Sequence, residues 1–137
     1  IGENTNIQDN CCLHIDSRKH PTIIGDNVTI GHSALVHACT IGDGAFVGMG
    51  SMIMDGAAIE PGGMLAAGAM LTPGKVIPAG EIWAGRPAQK MRDMTVDDIA
   101  NLTRAAAHYV EVARAHRLGA DGAPYDNMHW RPLPPKD

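Results

Sequence analysis

Aliphatic residues recur at every sixth position along most of the chain. Ile1, Ile7 and Leu13 open the series, and Ile24, Ile30 and Val36 resume it. Ile41, Val47, Ile53, Ile59, Leu65, Leu71 and Ile77 then run without a gap to Trp83. The fifth residue of a hexad is usually small, as at Thr5, Cys11, Ala34, Ala45, Ser51, Ala57, Gly63 and Ala69. Glycine often follows the lead residue, as at Gly2, Gly25, Gly31, Gly42 and Gly48. An even period suits the alternation of a strand and not the turn of a helix. Gly, Asn and Asp recur where such a chain would bend. The pattern predicts an all-β parallel β-helix over residues 1–87, built of about five coils with three hexads each. Each hexad forms one side of a triangular prism, and the lead aliphatics point inward and stack on the next coil. The period does not reveal handedness. The register breaks twice: five extra residues separate Leu13 from Ile24, and one residue is missing between Val36 and Ile41.

Gly85-Arg86-Pro87 ends the repeat. Thr95 then reads as a helix N-cap with Asp98 at the N3 position. Ile99, Leu102, Ala106, Tyr109 or Val110, and Ala113 follow at helical spacing. The pattern predicts a C-terminal helix over about 95–118, with Gly119 as its stop, packed on a prism face within a region spanning 88–119. Residues 120–137 carry four prolines and read as an extended tail that Trp130 could anchor.

Composition supports a narrow core. Aromatic residues make up only 4% of the chain, and 14 of its 16 glycines lie before residue 86. A column one side chain wide has little room for rings, so Val, Ile, Leu, Met and Ala fill it, with Met49, Met52, Met54, Met64 and Met70 as packing residues. The net charge of -4 offers no basic face to a nucleic acid. No apolar run is long enough to cross a bilayer, so no membrane segment is expected. Cys11, Cys12 and Cys39 form no disulfide framework; they fit a reducing compartment, and a cytoplasmic location is expected. Cys11 fills the small fifth slot and reads as buried packing rather than a metal ligand. The chain opens on Ile1 rather than Met, so its natural N-terminus is expected upstream.

Seven histidines are present. His20, His108, His116 and His129 read as surface or structural residues. His14 directly follows lead residue Leu13, and His37 directly follows Val36. Both therefore take the same outward slot on adjacent coils, where strands lie about 4.8 Å apart, close enough to share one metal. His32 belongs to another side of the prism, so a single chain does not easily bring it to that pair, whereas a neighbouring subunit in a three-fold assembly can. Three imidazoles with an open fourth position make a catalytic zinc arrangement. The competing reading is a polar prism face that carries three histidines by coincidence.

Asn6-Ile7-Gln8-Asp9, Leu13-His14, the stretch from Ile24 through Gly31-His32, Val36-His37, and Val47-Gly48-Met49-Gly50 together resemble the γ-class carbonic anhydrases and their bacterial relatives. Ile77-Pro78-Ala79-Gly80 and Gly85-Arg86-Pro87-Ala88 extend the resemblance, which covers roughly residues 1–118. It implies a left-handed β-helix, a homotrimer, and a metal at each subunit interface that hydrates carbon dioxide reversibly to bicarbonate. By position, His14, His32 and His37 would be the ligands of Zn2+, with Fe2+ or Co2+ as alternatives for imidazole donors. Gln8 would orient the hydroxide or substrate, Asp9 would join the interface network, and Asn6 would stand beside them. Tyr109 matches a helix tyrosine that relatives place near the metal, and it also reads as an ordinary helix core contact. An Arg and an Asp that the family carries upstream of the Gln-Asp motif are not in this sequence. The loop after His14 is short, and its candidate proton carriers are Asp16 and His20.

Other functions share the hexads. A hexapeptide-repeat acyltransferase uses a catalytic His beside a coenzyme A groove, and Gly85-Arg86-Pro87 is compatible with that. An acyl-CoA thioesterase, or a trimeric scaffold that keeps its metal with weak catalysis, completes the alternatives.

Overall fold

The computed structural model describes residues 1–17 and 19–117. Within them the hexads form a parallel β-helix of three faces. Its first circuit comprises β1 (Asn6–Ile7), β2 (Cys12–His14) and β3 (Ile23–Ile24); its second, β4 (Thr29–Ile30), β5 (Leu35–His37) and β6 (Thr40–Ile41). The third comprises β7 (Phe46–Val47), β8 (Met52–Ile53) and β9 (Ala58–Ile59); the fourth, β10 (Met64–Leu65), β11 (Met70–Leu71) and β12 (Val76–Ile77). β13 (Glu81–Ala84) opens a fifth. One face stacks β1, β4, β7, β10 and β13, the second β2, β5, β8 and β11, and the third β3, β6, β9 and β12.

Lead residues pair with lead residues, as in Ile7 with Ile30, Ile30 with Val47, and Leu65 with Trp83. This register puts every side chain of one kind on one side of the wall. Ile30, Val36, Ile41, Val47, Ile53, Ile59, Leu65, Leu71 and Ile77 are buried almost completely. Burial of each such side chain is worth about 1.5–3 kcal/mol. The first circuit departs from the expected burial. Ile1 is 77% and Ile7 37% exposed, because each has a stacked coil on one side only among the described residues. Cys11 is likewise half-buried rather than enclosed, with its thiol donating to the Gly31 carbonyl at 3.2 Å.

The circuits turn at left-handed corner residues. Between circuits the backbones run close: a Cβ on Gly48 would stand 2.2 Å from the Ala67 nitrogen, so only glycine fits there.

β14 (Gln89–Asp93) turns back antiparallel to β13, an element that the hexad pattern does not announce. Lys90 bridges Glu81 and Asp93, and Trp83 Nε1 donates to Glu81, which holds this hairpin shut. Helix α1 (Val96–Arg117) follows. Its capping box forms as expected: Asp98 N–H donates to Thr95 Oγ1, and Thr95 N–H donates to the Asp98 carboxylate. α1 lies against β1 and β4. Its apolar stripe is only partly covered: Ala106 is buried, Leu102, Tyr109 and Val110 are half-buried, and Ile99 is 53% exposed. No helix among the described residues is long and apolar enough to cross a membrane. The expected helix stop at Gly119 and the tail from 120 to 137 lie outside the described residues.

Candidate metal centre

Leu13 and Val36 point into the prism, so the residues after them point out. β2 and β5 pair in register with His14 directly opposite His37. The two rings stack with centroids 5.3 Å apart and planes 20° apart. His14 Nδ1 and His37 Nε2 face each other at 3.3 Å. Two imidazole nitrogens on a tetrahedral zinc, at about 2.0–2.1 Å each, stand roughly 3.3 Å apart. The pair is therefore spaced as one edge of such a site.

The backbone behind the pair is pinned. Thr22 Oγ1 donates to the His14 carbonyl at 2.5 Å and accepts the Ala38 N–H at 3.0 Å. Ala38 N–H also reaches the His14 carbonyl at 2.9 Å. The far side of the His37 ring is fixed by Asp55, whose carboxylate lies 2.6 Å from Nδ1. The Nδ1 side of the ring is thus turned to Asp55, and the Nε2 side faces His14.

The hexad register places His14 and His37 but misses Asp55. On the next circuit the position opposite Val36 is Ile53. Met54 therefore takes the slot equivalent to His37, and Asp55 reaches the ring diagonally from the turn one residue later. A carboxylate on that turn is the signal that strict slot counting passes over.

His32 stands apart from this pair. Its backbone N–H donates to Gln8 Oε1 at 3.2 Å, and its Nδ1 lies 3.4 Å from the Asp9 carboxylate. Gln8 Nε2 donates to Asn6 Oδ1 at 3.4 Å, and Asn6 Nδ2 donates in turn to Thr29 Oγ1 at 2.8 Å. Asn6, Gln8 and the His32 backbone thus form one hydrogen-bonded run along the corner between the first two faces, with the Asp9 carboxylate beside the His32 ring. Tyr109 and Asn6 both line a groove of about 540 Å³ between α1 and the first circuit. Among the described residues, no three His, Cys, Asp or Glu side chains converge on one point. One chain offers a pair of imidazoles and, separately, a third.

Cysteine does not enter this set. Burial first, and the Asp55 carboxylate second, push the Cys39 thiol up to about 12, so it stays protonated at neutral pH. Cys12 is exposed on β2, opposite Leu35. The loop after His14 closes on itself, with Asp16 N–H donating to the His20 carbonyl at 3.1 Å. His20 lies over the turn at Gly56, its ring 3.4 Å from where a Cβ would stand.

Known proteins resemble this chain at two levels. A family model described as the hexapeptide repeat of succinyl-transferase matches residues 21–54 and 39–73, which are coils alone. The mitochondrial gamma carbonic anhydrase 1 of Arabidopsis thaliana is 47% identical over 121 residues, covering 85% of this chain and 44% of the relative. The chain thus spans under half the length of that plant protein. A probable carbonic anhydrase of Methanocaldococcus jannaschii is 50% identical over 113 residues, covering 82% of this chain and 70% of the relative. A crystal structure of a hexapeptide transferase family protein from Anaplasma phagocytophilum superimposes with a TM-score of 0.81 at 52% identity, covering 85% of this chain and 68% of that one. With half of the aligned residues identical over 70% of the archaeal protein, the chain belongs to the γ-carbonic anhydrase-like family of hexapeptide-repeat proteins.

Proposed function

We propose that this chain is one subunit of a homotrimeric, metal-dependent enzyme that hydrates carbon dioxide reversibly to bicarbonate. The observation that carries the reading is the stacked His14–His37 pair. Its facing nitrogens are 3.3 Å apart, and the third imidazole of the chain is held elsewhere. Three-fold packing completes each centre with His32 of a neighbouring subunit. The donor set is three neutral imidazoles, which suits zinc and equally iron or cobalt. When bound there, zinc supplies hydroxide at neutral pH by lowering the pKa of its water.

The chain's own residues do the rest. The Asp9 carboxylate lies 3.4 Å from Nδ1 of His32, which leaves the Nε2 side of the ring for a metal. Gln8 has its carbonyl oxygen occupied by the His32 N–H and one amide hydrogen by Asn6. Its second amide hydrogen remains to donate to an oxygen of carbon dioxide or bicarbonate. Asn6 locks that orientation through Thr29, and Tyr109 lines the same groove as Asn6. The proton released must reach solvent, and Asp16 and His20 on the loop after His14 are the groups suited to carry it. The free thiols of Cys11, Cys12 and Cys39 fit a reducing location, which this reading takes as the cytoplasm.

Co-expression of two inactive variants tests the reading. His32→Ala and His37→Ala are each expected to lose metal and carbon dioxide hydration in stopped-flow assays. Mixed trimers regain about a quarter of the wild-type rate, because random assortment pairs each intact half that often. Metal-loaded wild type without hydration, or mixed trimers without rescue, would overturn it.

Acyl transfer is the second reading, favoured by the 52% identity to the Anaplasma hexapeptide transferase family protein. Acetyl transfer from acetyl-CoA by protein stripped of metal would select it.

A further inference from the structure

Asp55 touches the candidate centre from a circuit that contributes nothing else to it. Its carboxylate oxygen lies 2.6 Å from His37 Nδ1, a close contact even for a hydrogen bond between an imidazole N–H and a carboxylate. Stability alone does not account for the contact. The side chains are 33% and 48% exposed, and exposed ion pairs are worth little.

The turn that carries Asp55 is held on both sides. Its carbonyl accepts the Gly74 N–H at 3.0 Å, and the next residue, Gly56, donates its N–H to the Ala38 carbonyl at 2.8 Å. Ala38 directly follows His37, so the carboxylate and the imidazole are stapled to the same point of the wall. Gly56 takes φ +66°, and the His20 ring lies 3.4–3.8 Å from where its Cβ would stand. The loop after His14 therefore covers the turn that positions His37.

We infer that Asp55 is a positioning residue: it fixes His37 in the Nδ1–H tautomer, keeps Nε2 facing His14, and thereby sets the strength with which the pair holds a metal. The metal part of this rests on the proposed function; the tautomer part does not. Carboxylate partners of metal-bound histidines orient the ring and raise its basicity, and their loss typically weakens metal binding 10–100-fold.

The test uses the full chain labelled with 15N, first without metal. Long-range 1H–15N correlation spectra are expected to show His37 protonated on Nδ1 in wild type. Asp55→Ala loses that preference, while Asp55→Asn, which keeps an acceptor oxygen, retains part of it. Competition with a chelator for Co2+ then gives a dissociation constant about 10–100-fold weaker for Asp55→Ala, with Asp55→Asn between the two. The thermal unfolding midpoint stays as in wild type. An Nε2–H tautomer in wild type would overturn the inference. So would an Asp55→Ala protein that keeps the tautomer and binds Co2+ within about threefold of wild type. If wild type takes up no Co2+, the metal reading falls, while the spectra still judge the role of Asp55 toward His37.

Discussion

Residues 1–41 and residues 42–85 build the same prism from different corners. In the later circuits Gly44, Gly50, Gly56, Gly62, Gly68, Gly74 and Gly80 turn the chain at φ between +64° and +72°. In the earlier circuits Asn4, Asn10, Asn27, Ser33 and Ala38 make the same bend at φ between +47° and +62°. A left-handed conformation costs an L-residue roughly 1–2 kcal/mol, less for Asn and nothing for Gly. Three of these five corners adjoin candidate site residues: Asn10 follows Asp9, Ser33 follows His32, and Ala38 follows His37. Both breaks in the hexad register fall in the same early circuits. The later half is a regular scaffold, and the early half gives up regularity where side chains must be aimed outward.

The largest expected difference between the halves lies in the interior. Ile59 is 1% exposed, with strands stacked on both sides, whereas Ile7 is 37% exposed with one. Ile59→Ala should cost about 2–5 kcal/mol in chemical denaturation, from lost burial plus the cavity left behind. Ile7→Ala should cost about 1 kcal/mol, because part of its surface is already in water. Equal losses would mean that the first circuit is as well packed as the third, and the comparison would fail.

The corners give a smaller effect of opposite sign in the two halves. Asn10, Ser33, Gly50 and Gly68 succeed one another down a single edge of the prism, each donating its N–H or standing in line with the circuit before. Ser33→Gly should stabilise by about 0.5–1 kcal/mol, as relief of the left-handed strain outweighs the added entropy of the unfolded chain. Gly50→Ala should destabilise by about 1 kcal/mol, since a Cβ there meets nothing within 4 Å and only the backbone objects. Urea midpoints at constant slope would measure both. A Ser33→Gly protein no more stable than wild type would mean that this corner carries no strain.

The same contrast explains what the sequence reveals. The scaffold is legible because every hexad repeats one instruction, an inward aliphatic at the head, and an error in one slot is corrected by the next. His14 and His37 are legible because they occupy one slot of that grid, and His32 because its offset from the grid rules out the pair. Asp55 escapes because it reaches across the grid diagonally, through a turn. β14 escapes because a hairpin closed by Lys90, Glu81 and Asp93 has no hexad and no apolar alternation. The left-handed backbone at Ser33 and Ala38 escapes because neither residue advertises it, whereas Asn at the neighbouring corners does.

Besides the strand pairings of β4 with β7, β5 with β8 and β6 with β9, α1 links the late end of the prism to its early end, and its cap supplies the smallest effect. Arg92 of β14, at the late end, pairs with Asp98 in the first turn of α1, while the helix leans on β1 and β4 at the early end. The Asp98 carboxyl is held well below the usual carboxylate range, by Arg92 first and then by the N–H and hydroxyl of Thr95. A carboxyl whose folded pKa is depressed contributes stability above its unfolded value of about 3.9, and loses it as pH falls through the folded value. The advantage of wild type over Asp98→Asn should therefore be constant from neutral pH down to about 5, and shrink steadily below about 4. Because the carboxylate is near the surface, salt should reduce it as well. Hydrogen exchange locates the effect: at neutral pH, Asp98→Asn should speed exchange in α1, β1 and β4 and leave β9 and β12 as in wild type. Uniform acceleration through all circuits would show that the helix braces the whole prism rather than its irregular early half.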